Sequence, residues 1–302
     1  MNVLVTGGNG FLGRNLIRIL SKNKDLNIVS FSSSDVDLKL HNSLHKFNNL
    51  NFDKIYHLAA WTQAGDFSLT HMGEQWVNNQ LINSNVLTWW KDYQPQSKFM
   101  SIGTSCSYEE GSDLKEENYL NGSPLRDLYA YGMTKRMLYI GLKSLNQQFG
   151  FKYLVTIPST LYGPGYEISN RIPHFIFDII KKIIKAKKYN DQVELWGNGY
   201  QKRELVYVDD YVHQMLLLED KLENDICNIG AGIEYSIREF AKIICEIVDY
   251  NFDKILFNEN KYTGAKSKKL NTKKINNILG NYKTITLEEG LRKTVADIIN
   301  KI

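Results

Sequence analysis

Cysteine, proline and long apolar runs are all scarce in this 302-residue chain, and each scarcity excludes something. Three cysteines, Cys106, Cys227 and Cys245, form neither a disulfide framework nor a metal-ligand spacing, so no metal is expected and a reducing cytoplasm fits best. Five prolines and no low-complexity run argue against long disordered linkers, and no repeat recurs at a solenoid period. No stretch approaches ~20 uncharged apolar residues, which leaves nothing expected to span a bilayer. The opening residues, Met1-Asn2-Val3-Leu4-Val5-Thr6, lack the basic region and cleavage site of a secretory signal. A large charge excess is lacking too. The net charge is +4, and the basic run 181–188 lies in a stretch where Phe175, Ile176, Ile179, Ile180, Ile183 and Ile184 recur at helical spacing. It reads as the solvated face of an amphipathic helix, so neither nucleic acid nor membrane is an expected partner. What is present, 43% hydrophobic residues, is ample for a sizeable core.

The first clear signal is a glycine cluster. Val3-Leu4-Val5-Thr6 reads as a buried parallel strand, and Gly7-Gly8-Asn9-Gly10-Phe11-Leu12-Gly13-Arg14 follows, opening a helix that carries Leu16, Ile17, Ile19 and Leu20. Glycines 8, 10 and 13 satisfy G-x-G-x-x-G, while 7, 10 and 13 satisfy G-x-x-G-x-x-G. Such glycines turn the chain, admit a pyrophosphate to the backbone and let helix pack on strand. The helix N-terminus then presents free N–H groups to phosphate. A second strand is predicted at Asn27-Ile28-Val29-Ser30-Phe31, ending near Ser32 where an NAD-binding chain usually has an acid. A carboxylate there would repel a 2′-phosphate; Ser32 would not, and Arg14 supplies a nearby positive charge, so NADP(H) is favoured. Asp35 stands a few residues of register away and keeps NAD open.

The middle of the chain adds acid–base chemistry. Asp53-Lys54-Ile55-Tyr56-His57-Leu58-Ala59-Ala60 reads as a strand ending in small residues, with His57 in a packing or hydrogen-bonding role. Phe99 to Ile102 reads as a further strand, and the hydroxyl-rich Thr104-Ser105-Cys106-Ser107 sits at its C-terminal end, where doubly wound sheets bind ligands. Tyr131 and Lys135, at i and i+4, share one helix face. An ammonium beside a phenol lowers the phenol's pKa, making Tyr131 a usable proton donor or acceptor.

With these motifs the chain resembles the extended short-chain dehydrogenase/reductases, the NAD-dependent epimerase/dehydratase family, and within it the GDP-L-fucose synthase type. The resemblance runs almost end to end, through TGGNGFLGRN, HLAA, NNQLINSN, GTSCSY, YGMTK, PSTLYGPG, WGNGYQKRELVYVDD and GAKSKKLN. It implies a cofactor site of Gly7, Gly10, Phe11, Leu12, Gly13, Arg14, Ser32, Asp37, Leu58, Ala59, Ala60 and Lys135. It implies that Thr104 orients the sugar C4 oxygen, that Tyr131 gives that oxygen a proton as hydride reaches C4, and that Lys135 tunes Tyr131 and holds the nicotinamide ribose. Arg203 and Lys268 would grip the substrate diphosphate, with Ser105, Thr160, His174 and Trp196 also at the substrate, a nucleotide sugar with GDP as its expected nucleotide. A homodimer is implied, built from the Trp-rich helix 74–92 and the helix starting near Tyr129.

Two departures shape the expected activity. Fucose synthases epimerise C3 and C5 with a cysteine and a histidine; Cys106 matches the cysteine, but the histidine position falls on Asn170, with His174 one turn along. C4 reduction alone is therefore the expected reaction, and the bifunctional 3,5-epimerase/4-reductase is the alternative. Thr160 in place of the usual asparagine, and Asp178 near an expected arginine, point to altered substrate recognition. A 4,6-dehydratase would place acidic residues where Ser105-Cys106 stand, a 4-epimerase of the UDP-galactose type would prefer an acid after the second strand, and a non-catalytic NADP-binding protein would lack the Tyr131–Lys135 pair. The expected architecture is α/β: a doubly wound parallel sheet over 1–165 with return segments at about 204–230, and a smaller substrate lobe from 166–203 and 231–302.

Overall fold

The strand-then-helix alternation of the sequence becomes a parallel sheet because each strand is apolar on both faces. β1 (Asn2–Thr6) shows why: Val3 and Val5 point into one hydrophobic cluster and Leu4 into the other, all three fully buried. In the computed structural model, which describes residues 1–64, 67–168, 172–261, 263, 265–280 and 282–302, α1 (Phe11–Leu20) leads to β2 (Asn27–Phe31) and on to β3 (Lys54–His57). The short α2 (Phe67–Thr70) and long α3 (Met72–Tyr93) precede β4 (Lys98–Ile102); α4 (Tyr129–Phe149) precedes β5 (Tyr153–Pro158). Then come β6 (Thr160–Tyr162), α5 (Phe175–Tyr189), β7 (Val193–Trp196), β8 (Lys202–Arg203), β9 (Leu205–Tyr207), α6 (Val208–Glu219) and β10 (Asp225–Ile229). β11 (Tyr235–Ser236), α7 (Ile237–Val248), β12 (Ile255–Asn258), α8 (Lys273–Leu279) and α9 (Leu287–Ile299) complete the chain.

The central sheet has the order β10-β5-β4-β3-β1-β2, with every pair parallel. β2 and β3 flank β1 on opposite sides, so the connections diverge there and leave a crevice at the strands' C-terminal ends. One face is covered by Leu16, Ile19 and Leu20 of α1 with Tyr211, Val212 and Met215 of α6. The other is covered by Ile82, Val86, Trp89 and Trp90 of α3 with Leu138 and Leu142 of α4. This is the doubly wound α/β fold that the sequence predicts. No helix among the described residues is long and apolar enough to cross a membrane.

A separate hydrophobic cluster lies beyond the sheet. The apolar face of α5 (Ile176, Ile179, Ile180, Ile183) packs on Phe240 and Ile244 of α7 and on Leu291, Val295 and Ile298 of α9. Burying each such side chain stabilises the fold by roughly 1.5–3 kcal/mol, which explains why the lysines of α5 are left on the opposite side. Leu205–Tyr207 pairs with Thr160–Tyr162 in a two-stranded sheet of its own. Residue Ile275 of α8, expected in the lobe, is buried in the cluster under α1 and α6, so that helix lies against the main sheet.

Candidate active site

The glycine turn between β1 and α1 leaves little room for side chains. Gly7 has φ +70, and a Cβ there would stand 2.8 Å from the Ala59 nitrogen. A Cβ on Gly13 would stand 2.2 Å from the Gly7 carbonyl oxygen. Gly7 is needed for its left-handed turn and its contact with the 58–60 segment, Gly13 for packing helix on strand, and Gly8 is tight as well, a Cβ there falling 2.9 Å from the Ile17 and Ser30 side chains. The first helical residues of α1 include no acid, and Gly10 offers no side-chain cap, so their N–H groups remain available to an anion. That is a cradle that fits a dinucleotide pyrophosphate. Phe11, expected at the cofactor, meets the rings of Tyr166 and Phe177 at 5.3 and 5.8 Å, and Leu12 is half-buried beside it.

At the end of β2, the Ser32 hydroxyl and amide both donate to the Asp35 carboxylate, at 2.6 and 3.0 Å. These bonds hold the Asp35 carboxyl below the usual range and turn it back on its own loop. Asp37 accepts from the Lys39 amide at 3.1 Å. The Arg14 guanidinium donates to the carbonyls of Asn9 (2.7 Å) and Gly165 (2.6 Å), fastening the glycine turn to the 164–165 segment. Lys46, which sequence spacing does not single out, brings its ammonium to the Asp35 carbonyl at 3.3 Å.

Thr104, Ser105 and Cys106 lie in the turn that follows β4. Thr104 caps that turn: its hydroxyl oxygen accepts the Cys106 N–H at 3.2 Å, leaving its own hydrogen to donate elsewhere. The turn is packed tightly on the start of α4. The Ser107 hydroxyl donates to the Gly132 carbonyl at 3.0 Å, and a Cβ on Gly132 would stand 3.0 Å from the Cys106 carbonyl oxygen. Tyr131 and Lys135 project from one face of α4, with the Lys135 ammonium 5.9 Å from the Tyr131 ring centre. Their electrostatics depart from the expected tuning. Burial, with Cys106 and Tyr119 adding to it, pushes the Tyr131 phenol well above its ordinary value instead of toward neutrality. Burial also brings the Lys135 ammonium down to about 8. The reason is that the ammonium faces the ring while both groups are shielded from water, so desolvation outweighs attraction. Tyr131 is therefore a protonated phenol at neutral pH, the state a proton donor needs.

His57 is buried and its pKa falls to about 4 for the same reason, with the Lys135 charge acting in the same direction. It bridges Thr6 (2.9 Å) and Asn83 (3.2 Å), and the Ala59 amide donates to the Thr6 hydroxyl at 3.2 Å. This is the hydrogen-bonding role its sequence context suggests. Arg136, unmarked in the sequence, is 4% exposed and donates to the carbonyls of Ser107, Leu120, Asn121 and Gly122, clamping the 107–122 loop onto α4. Only the fact that it follows Lys135 on the same helix could have hinted at it.

On the substrate side, Lys268 reaches the same pocket: its ammonium donates to the Cys106 sulfur at 2.8 Å. Arg203, expected beside it on a diphosphate, donates to the carbonyls of Lys202, Thr263 and Ala265, at 2.7 Å each. It thus anchors the segment that carries Lys268. Thr160 starts β6, half-buried, its amide donating to the Glu204 carbonyl at 3.3 Å. Trp196 ends β7 and is 48% exposed. His174 precedes α5, its amide bonded to the Tyr166 hydroxyl and its ring against that of Tyr166. Asn170 lies outside the described residues.

The sequence profile of the NAD dependent epimerase/dehydratase family matches residues 3–230. A GDP-L-colitose synthase of Yersinia pseudotuberculosis is 28% identical, with 100% of this chain and 99% of that protein aligned. Among solved structures, a GDP-6-OMe-4-keto-L-xylo-heptose reductase from C. jejuni superposes with a TM-score of 0.89 at 20% identity, covering 100% of this chain and 98% of that one. A GDP-L-fucose synthetase from Naegleria fowleri bound to NADP gives 0.87 at 22%, covering 99% and 94%. At these identities the structural likeness concerns the fold, and the six-stranded parallel sheet agrees with it.

Proposed function

Because the chain belongs to the NAD dependent epimerase/dehydratase family, we propose that it is an NADPH-dependent reductase of the C4 ketone of a GDP-linked 4-keto sugar. One observation carries the reading: Tyr131 and Lys135 stand on one face of α4, the Lys135 ammonium 5.9 Å from the Tyr131 ring centre, and the turn of Thr104 and Cys106 after β4 packs on the start of that helix. The names of the similar proteins support the substrate class, since each acts on or makes a GDP-sugar. The Naegleria structure, bound to NADP, supports the cofactor.

NADPH, when bound, supplies the hydride. The residues of the chain do the rest. Gly7, Gly10, Gly13 and the α1 N-terminus hold the pyrophosphate. Thr104 and Tyr131 donate hydrogen bonds to the sugar O4, and the Tyr131 phenol gives up its proton to that oxygen as it becomes an alkoxide. Lys135 then faces a phenolate, whose charge its ammonium stabilises. Net consumption is one hydride and one proton per ketone reduced. Lys268 and Arg203 hold the diphosphate end, Arg203 through the segment it anchors. Residues 1–165 with 204–230, joined by α8, serve as the cofactor domain; 166–203 and the rest of 231–302 serve as the substrate lobe.

The test is NADPH oxidation with GDP-4-keto-6-deoxy-D-mannose. Tyr131→Phe should lower turnover by about 10²–10⁴-fold while NADPH affinity stays unchanged. Unaltered turnover in that variant would refute the assignment.

A further inference from the structure

Glu204, between β8 and β9, is 2% exposed and gives its two carboxylate oxygens to two different segments. Oε1 accepts the Gly232 amide at 2.6 Å, and Oε2 accepts the Leu270 amide at 2.9 Å. The 230–232 backbone is seated closely on it: a Cβ on Gly230 would stand 2.5 Å from Oε1. A second carboxylate, Glu234, binds the same two segments together, taking the Lys268 amide and the Ser267 hydroxyl at 2.6 and 2.7 Å. Arg203, the residue before Glu204, holds the Ala265 carbonyl at 2.7 Å. The 265–270 segment is thus held at its ends by two consecutive residues and in its middle by Glu234. A lysine side chain has high rotamer entropy, so where the Lys268 ammonium stands depends on how firmly these bonds fix its backbone.

We infer that Glu204 is a positioning residue for the diphosphate end of the substrate: as a carboxylate it latches the 230–234 loop to the Lys268 segment, and on taking up a proton it lets one of them go. This rests on the reading of the site as a GDP-sugar reductase with Lys268 at the diphosphate. A carboxylate offers an acceptor on each oxygen, whereas a carboxyl that has gained a proton carries a donor on one of them, which meets an amide N–H head-on. The two amide bonds of Glu204 therefore require the charged form. Burial opposes that charge more than the Leu270 and Gly232 amides favour it; Glu234 on the loop adds to the burial, Lys269 on the held segment acts the other way, and the carboxyl is pushed up to about 7. The Thr160 amide of β6 takes the Glu204 backbone carbonyl and adds no charge. The latch thus closes and opens across neutral pH. Closed, it docks the Lys268 segment on the loop; open, it leaves the ammonium less well placed and the nucleotide sugar more weakly held. The cofactor turn is built on β1 and α1, outside these segments.

GDP-mannose is a suitable probe, because its phosphates stay ionised around neutral pH. Its dissociation constant for the wild type, measured by calorimetry, should rise about tenfold from about pH 8 to about pH 6. Glu204→Gln keeps the shape but offers one acceptor and one donor, so it should bind at both pH values as weakly as the wild type does at the lower. NADPH affinity should be the same in the two proteins at each pH; a variant that merely folded badly would lose NADPH as well. Independently of any sugar, the Gly232 and Leu270 amide protons, followed by NMR, should shift together with a midpoint near about pH 7 in the wild type and not in Glu204→Gln. Amides that do not titrate overturn the latch. Titrating amides with equal GDP-mannose affinity at both pH values overturn its part in substrate binding. GDP-mannose that binds at neither pH, with amides that titrate in the wild type alone, refutes the GDP reading and supports the latch.

Discussion

Lys135 shows at the scale of one residue how function and stability oppose each other. It is 7% exposed, and burial brings its ammonium from the ordinary 10.5 to about 8. A base with a depressed folded-state pKa destabilises the fold wherever it is charged. The penalty is complete below about pH 8 and fades as pH rises toward 10.5, and it amounts to roughly 3 kcal/mol. Lys135→Met fills the same space without the charge. It is expected to raise the urea-unfolding free energy at pH 7 by about 1–3 kcal/mol while removing reductase activity. A destabilised variant would show that the ammonium's contact with the Tyr131 ring outweighs its desolvation. The raised pKa of Tyr131 belongs to the same balance, since the phenol stays protonated until a proton is needed.

At the scale of elements, α3 and α4 are packed together and leave apolar side chains on their outer sides. α3 exposes Val77 and Leu81, one turn apart, and α4 exposes Met137 and Ile140. Both helices also bury a full apolar face on the sheet, so these residues are surplus to the fold of one chain. A second copy applying the same two helices would cover them symmetrically, as in most homo-oligomers, and we propose this face as the homodimer contact. Val77→Glu combined with Ile140→Glu should convert a dimer to a monomer in light scattering behind size exclusion, with unchanged circular dichroism. Persistence of the dimer would place the contact elsewhere.

Over the whole molecule, two buried groups pull stability in opposite directions with pH. Glu204, 2% exposed, joins the Gly232 and Leu270 amides, yet burial outweighs those bonds and pushes its carboxyl from 4.5 to about 7. An acid with a raised folded-state pKa contributes stability below its unfolded value, and that is lost as pH rises from 4.5 through 7. His57, depressed from 6.5 to about 4, contributes the reverse: its stability is present above 6.5 and lost as pH falls through 4. Between about pH 4.5 and 6.5 the two slopes oppose and should nearly cancel. Glu204→Gln removes one of them, so the unfolding free energy of that variant should climb about 1.4 kcal/mol per pH unit more steeply across this window than the wild type's. Parallel profiles would count against the buried, protonated Glu204.

The sequence by itself determined the parts of this protein that depend on local chemistry. β-branched strands, helical spacing on α5 and the 7-10-13 glycines specify elements through contacts a few residues apart, and Tyr131 with Lys135 specifies a reactive helix face. Strand-end hydroxyls and the family motifs gave the cofactor crevice and the polar turn of Thr104. What only the tertiary structure decided depends on long-range geometry. That Arg14 and Arg203 hold backbone carbonyls, that Lys46 reaches the Asp35 carbonyl, and that Arg136 clamps the 107–122 loop are set by segments meeting across the fold. The direction of the Tyr131 pKa belongs here as well, because desolvation depends on everything packed around a group. So does the meeting of Lys268 with Cys106: spacing marks each residue, but only chain packing brings an ammonium to a particular sulfur.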